Sequence, residues 1–163
     1  MNKLILILAI ILVGCSTECK KDVIGVEYFP DGSKTDLISG DIQHTKIFED
    51  FIELHNAKDF NGIRNLVDEE IKIYAATGDS LIGKEAHLTF LKSWLNDSSP
   101  EWKAHYLIAN DYINKDGIIE HWVTSCYEMS TQEDGQKNTF THIYDAKIEL
   151  GKIQKFYIYE RNK

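Results

Sequence analysis

The hydrophobic pattern of the chain changes period twice. From Thr45, Ile47, Phe48, Phe51, Ile52 and His55 recur at helical spacing, which predicts an amphipathic helix over 45–57. Phe60, Ile63, Leu66 and Val67 predict a second, shorter helix. Residues 71–76, IKIYAA, alternate like a strand, and GDSLIG turns the chain. Leu88, Leu91 and Leu95 then share one face of a third helix over 84–95, which Asn96 to Pro100 stop. Beyond Pro100 the helical period disappears. Four segments, 102–113, 118–130, 138–150 and 152–160, are rich in aromatic and β-branched residues and predict strands. Asn114 to Gly117, Glu133 to Gly135 and Leu150-Gly151 separate them as hairpin breaks. Upstream, two short apolar stretches flank Pro30-Asp31-Gly32 and predict a small hairpin, packed on the domain or part of a stalk. Helices followed by a run of antiparallel strands indicate an α+β domain with helices on one face of the sheet.

The N-terminus follows a different pattern. Lys3 precedes an apolar run from Leu4 to Val13, half the length that spans a bilayer but right for a secretory signal. The run ends in Leu12-Val13-Gly14-Cys15, which resembles the bacterial lipobox. That resemblance implies cleavage before Cys15, lipidation of its thiol, and anchoring to a membrane of the bacterial cell envelope without a transmembrane helix. The implied organisation is a signal peptide over 1–14, a lipidated tether carrying the short hairpin over 15–44, and a domain over 45–163.

Charge and cysteines narrow the picture further. The formal net charge of −8 argues against nucleic acid, whose phosphates require clustered Lys and Arg. It also argues against a domain lying flat on anionic lipid. Cys126 sits in an apolar-flanked strand and fits an inert buried thiol, although pairing with Cys19 in an oxidising envelope is the alternative. No CxxC is present, and the spacing of His44, His87, His105 and His121 suggests no metal site. No cofactor is expected.

Taken in order, HNAKDFNGIRNLVDEEIKIY (55–74), LIGKEAHLTFLKSWL (81–95), IIEHWVTSCYEMSTQEDG (118–135) and FTHIYDAKIELGKIQKFYIY (140–159) resemble the nuclear transport factor 2-like superfamily in its SnoaL-like branch. The resemblance spans roughly residues 45–161. It implies a cone: a strongly curved antiparallel sheet wrapped against three helices, enclosing a pocket. Such domains often pair through the outer sheet face, which makes a homodimer one expectation.

The superfamily includes ketosteroid isomerase-like enzymes and polyketide cyclases. Isomerase chemistry needs a carboxylate to move a proton and donors to hold the enolate oxygen. By the shared phrases, the first-helix tyrosine position falls at Phe51, the base position near Ala75 and the third-strand acid near Tyr144. Two of the three are replaced by residues that cannot serve, though a slip of one residue would bring in Asp145. Strand alternation with Tyr144 inward also turns His142, Ala146 and Ile148 inward. The matching face of the preceding strand would carry Glu120, Trp122, Thr124 and Cys126; the opposite phase, with His121, Val123 and Tyr127 inward, is as good. Phe156 and Ile158 would face in, Tyr157 and Tyr159 out, and Trp94, Trp102 and Tyr106 would close the mouth. The expected pocket is thus Phe51, Tyr106, Trp122, Thr124, His142, Tyr144, Phe156 and Ile158. Three functions follow: a module binding a small apolar or aromatic molecule, a SnoaL-like enzyme with His142 as base and Tyr144 as donor, or an interaction module pairing through its sheet.

Overall fold

The computed structural model describes residues 21–133 and 135–162; the predicted signal segment, Cys15 and Cys19 lie outside the described residues. Strands β1 (Val23–Tyr28) and β2 (Lys34–Ser39) form the predicted hairpin, with Gly32 at a φ of 82° in its turn. Helix α1 (Gln43–Asn56) buries Phe48, Phe51, Ile52 and His55, the face that its period predicted. Asp59 caps α2 (Phe60–Leu66) by accepting from the backbone N–H groups of Asn61 and Gly62. Strand β3 (Val67–Tyr74) starts earlier than its alternation suggested. It pairs with a short β4 (Ser80–Ile82), where only a turn was expected. Helix α3 (Lys84–Asp97) packs through Leu88, Leu91 and Leu95.

Four long strands follow: β5 (Glu101–Ile113), β6 (Ile119–Glu133), β7 (Gln136–Glu149) and β8 (Lys152–Asn162). The eight strands make one sheet in the order β1-β2-β5-β6-β7-β8-β3-β4, antiparallel except where β3 meets β8. The hairpin is therefore an edge of this sheet, joined through Leu37 opposite Tyr112, and not part of a stalk. All three helices lie on one face. Phe48, Phe51, Ile63, Leu88 and Leu95 bury there against Val123, Tyr127, Ala146, Ile148, Ile153 and Phe156. Each buried Val, Leu, Ile or Phe among them contributes about 1.5–3 kcal/mol relative to exposure.

Which residues face this core is settled by register. On β7 the predicted phase is observed: His142, Tyr144, Ala146 and Ile148 are all buried. Residues directly opposite one another share a face. His142 is opposite Tyr127, Tyr144 opposite Ser125 and Ala146 opposite Val123, so β6 presents Val123, Ser125 and Tyr127 inward. Trp122 and Thr124 consequently point to the outer face, which corrects their expected place in the pocket. Both faces of β6 carry large apolar residues, so hydrophobic alternation alone could not choose between them.

Strand β5 holds a second correction. Its register with β6 slips between Ala104 and Tyr106, leaving His105 as the extra residue of a bulge. Trp102, before the bulge, is buried. Past the bulge the alternation is inverted, and Tyr106 is 46% exposed on the outside of the sheet.

Candidate functional site

The concave face of the sheet and the helices enclose a cavity of about 490 Å³. Its walls are mostly aromatic and aliphatic: Phe51 and Ile52 from α1, Leu91 and Trp94 from α3, Trp102 from β5, Met129 from β6, and Phe156 and Ile158 from β8. Ala75, at the position where the resemblance implied a base, lines the wall without offering a polar group. Of the expected pocket residues, Phe51, His142, Tyr144, Phe156 and Ile158 are brought together. Tyr106, Trp122 and Thr124 are not.

One polar row crosses this apolar space. The Trp102 indole N–H donates to the Tyr144 hydroxyl at 2.8 Å. That hydroxyl lies 2.9 Å from Nδ1 of His142, whose Nε2 lies 2.9 Å from a Glu160 carboxylate oxygen at the rim. Burial pulls the His142 pKa below its ordinary value against the opposing pull of Glu160, and pushes the Tyr144 phenol up. With neutral His142 only one arrangement satisfies every group. Nε2–H donates to Glu160, Nδ1 accepts from the Tyr144 O–H, and the Tyr144 oxygen accepts from Trp102. A second proton on His142 would turn Nδ1 into a donor and free the Tyr144 O–H to donate into the cavity. Position fixes the row as well. The Asn56 side chain accepts from the Trp102 backbone N–H and donates to its carbonyl, both at 2.9 Å, tying the end of α1 to the start of β5.

Two further imidazoles line the cavity. His55 lies 2.6 Å from the Phe51 carbonyl through Nδ1, which must therefore carry the proton, leaving Nε2 a bare acceptor. His87 is buried, and its Nδ1 has no hydrogen-bond partner among the described residues. Burial lowers their pKa values to about 4 and about 3, so both are neutral near pH 7. His55 was legible only as a residue of a buried helix face, and His87 carried no signal beyond its place in α3. Glu160 reaches the site through a strand pairing, β7 with β8, that separates it from His142 by 18 residues.

The remaining carboxylates are elsewhere. Asp79 stands at the exposed rim with Thr77 donating to it. Asp145 points to the outer face, where Thr124 donates to it at 3.0 Å, so the one-residue slip that would have placed it in the pocket is not observed. That outer face forms a shallower concavity of about 390 Å³ lined by Trp122, Thr124, Tyr157 and Tyr159. Lys155 lies 4.9 Å from the Trp122 ring centroid, and Tyr74 stacks on Tyr157. Cys126 is a buried free thiol.

At the far end of β6, the fold brings together three groups that sequence spacing kept apart. One ligand atom each from His44, Asp111 and His121 lie within 4.8 Å of one another, an arrangement able to hold a metal ion. They come from α1, β5 and β6, so no local motif announced them.

No protein-family model matches the sequence, and no curated protein matches it. Solved structures do. A protein described as a ketosteroid isomerase from Kribbella flavida DSM 17836 superposes with a TM-score of 0.61 at 9% identity, over 74% of this chain and 79% of that one. An M. tuberculosis LEH-like epoxide hydrolase gives 0.60 at 14% identity, over 72% and 81%. A protein from Shewanella denitrificans OS-217 described as a SnoaL-like polyketide cyclase gives 0.58 at 8%, over 74% and 92%. The likeness is one of fold. The chain has the nuclear transport factor 2-like α+β fold, a curved, unclosed sheet packed on three helices.

Proposed function

We propose that this chain is a bacterial envelope lipoprotein, anchored through lipid on Cys15, whose cone holds a small, mainly apolar molecule bearing one polar group. The observation that carries this reading is the cavity: aromatic walls around a single convergent polar row, the usual make-up of a small-ligand site. The Leu12-to-Cys15 pattern supports the anchor. Native mass spectrometry of the protein recovered from its own envelope tests the binding reading. A persistent adduct of small-molecule mass, lost in a variant whose cavity is filled by Leu91→Trp, is the expected result. Protein free of any adduct at every preparation contradicts it. Cys15→Ala should release the chain from membranes, and a Cys15→Ala protein that stays membrane-bound refutes the anchor.

The polar row favours a second reading, proton transfer by a SnoaL-like enzyme. Tyr144 would donate to a carbonyl oxygen once His142 carries its second proton, which Nδ1 then passes to the Tyr144 oxygen with Glu160 behind it. What weakens this reading is the lack of a strong base. The imidazoles facing the depth of the cavity hold protons only below about pH 4, and the two carboxylates among the described lining residues, Asp79 and Glu160, stand at the rim. Turnover of a carbonyl substrate abolished by both His142→Ala and Tyr144→Phe, in folded protein, would establish it over simple binding.

A further inference from the structure

The His44–Asp111–His121 cluster lies outside the cavity and nothing in the proposed function uses it. Asp111 is fully buried, 0% exposed. A carboxylate withdrawn from water is retained only beside a positive or strongly donating partner. Here each oxygen has its own. Oδ1 lies 2.9 Å from Nδ1 of His121, directly opposite on β6, and Oδ2 is paired with the ammonium of Lys21. His44, at the start of α1, lays its ring against that of His121, with centroids 4.8 Å apart. Its Nδ1 is shielded from solvent and has no hydrogen-bond partner among the described residues. An imidazole packed against a second imidazole that already bonds a buried carboxylate is the chemistry of an incomplete coordination sphere.

We propose that His44, Asp111 and His121 form a binding site for a divalent first-row transition metal of zinc type, and that Lys21 is the cation that holds Asp111 when metal is absent. Two imidazoles and one carboxylate suit zinc, cobalt or nickel and not the all-oxygen spheres of magnesium or calcium. Tetrahedral coordination at about 2.0–2.1 Å sets ligand atoms roughly 3.4 Å apart. The three groups, within 4.8 Å now, close to that by side-chain rotation. Three protein ligands leave the fourth position for water. The charge balance decides the fate of Lys21. A dication on one carboxylate and two neutral imidazoles is already net positive, so the ammonium is repelled from Oδ2. Its side chain, 44% exposed, has water to move into. Lys21 is the second residue before β1, so metal uptake releases the contact that pins the entry of the chain to the sheet.

The test uses the full chain, purified in detergent and stripped with chelator. Zinc titrated by calorimetry should bind one ion per chain. Cobalt should give the visible absorption of a tetrahedral site with nitrogen and oxygen donors, and magnesium should not compete. His44→Ala and His121→Ala should each weaken zinc binding by about 100-fold or more. His105→Ala, which removes a histidine outside the cluster, should leave it unchanged. Lys21→Met should tighten binding by removing the competing cation. Zinc should raise the melting temperature of the parent and not of His121→Ala. Circular dichroism checks that each variant folds, with His44→Gln standing in if His44→Ala does not. Zinc affinity unaffected by His44→Ala and His121→Ala, a cobalt spectrum dominated by thiolate charge transfer, or the absence of stoichiometric binding would overturn the proposal.

Discussion

Tyr144 shows how much rests on one hydroxyl. It accepts from Trp102, donates to His142 and lies wholly inside the core. Replacing it with Phe keeps the ring and its packing against Phe48 and Phe156 but leaves the Trp102 N–H without an acceptor and His142 Nδ1 without a donor. The expected cost is about 1–3 kcal/mol of unfolding free energy in urea, with an unchanged m-value. Occupancy of the cavity by a polar-headed ligand should fall with it. A Tyr144→Phe protein as stable as the parent would mean that the row is not formed in solution. At this scale the sequence was partly legible. His142 and Tyr144, two apart on a strongly alternating strand, pointed to one face whatever the fold. His87 and Glu160 did not, because their relation to the site exists only through α3 packing and the β7–β8 register.

At the scale of elements, helix faces and hairpin breaks were readable because each is a local property of ten or so residues. The facing of β6 and the outer half of β5 was not. One depends on which neighbour β6 pairs with, and the other on a single inserted residue, His105. The same bulge explains why Trp102 and Tyr106, four apart and similar in type, end on opposite faces. Holding the inward half of β5 in place is the task of Asn56. Its amide bonds both the N–H and the carbonyl of Trp102, standing in for a strand on the side of β5 that β2 does not reach. Asn56→Ala should therefore cost about 1–3 kcal/mol. It should also loosen the Trp102 indole against Tyr144, seen as a red-shifted and broadened tryptophan emission. Asn56→Asp separates the two functions: it keeps an acceptor for the Trp102 N–H but loses the donor to its carbonyl, and should fall between. Equal stability of parent and Asn56→Ala would remove the clamp from the account of the site.

At the scale of the molecule, the cone encloses more imidazole than its charge state suggests. His55, His87 and His142 are buried on its inner face and all three resist protonation, chiefly because burial penalises the charged ring. In the unfolded chain the same groups take up protons at an ordinary value near 6.5. Between that value and about 4 for His55, or about 3 for His87, the unfolded state binds more protons than the folded one. Stability must therefore fall as pH drops through this window, by about 1.4 kcal/mol per pH unit for each histidine that stays neutral. Asp145 acts in the opposite sense, since burial raises its pKa and the folded state protonates it first. The net slope alone is therefore ambiguous, and a single substitution resolves it. His87→Phe removes one imidazole whose Nδ1 has no partner to lose, fills a similar volume beside Phe51 and Phe156, and leaves Asp145 untouched. Urea unfolding of parent and variant from pH 7 to pH 4 should give curves that diverge steadily toward acid, with the variant losing about one proton's worth of slope. Parallel curves would mean that His87 is already charged or hydrated in the folded protein. The cavity wall would then be wet at that point, and the apolar lining formed there by His87 with Phe51 and Phe156 would be broken by a polar group.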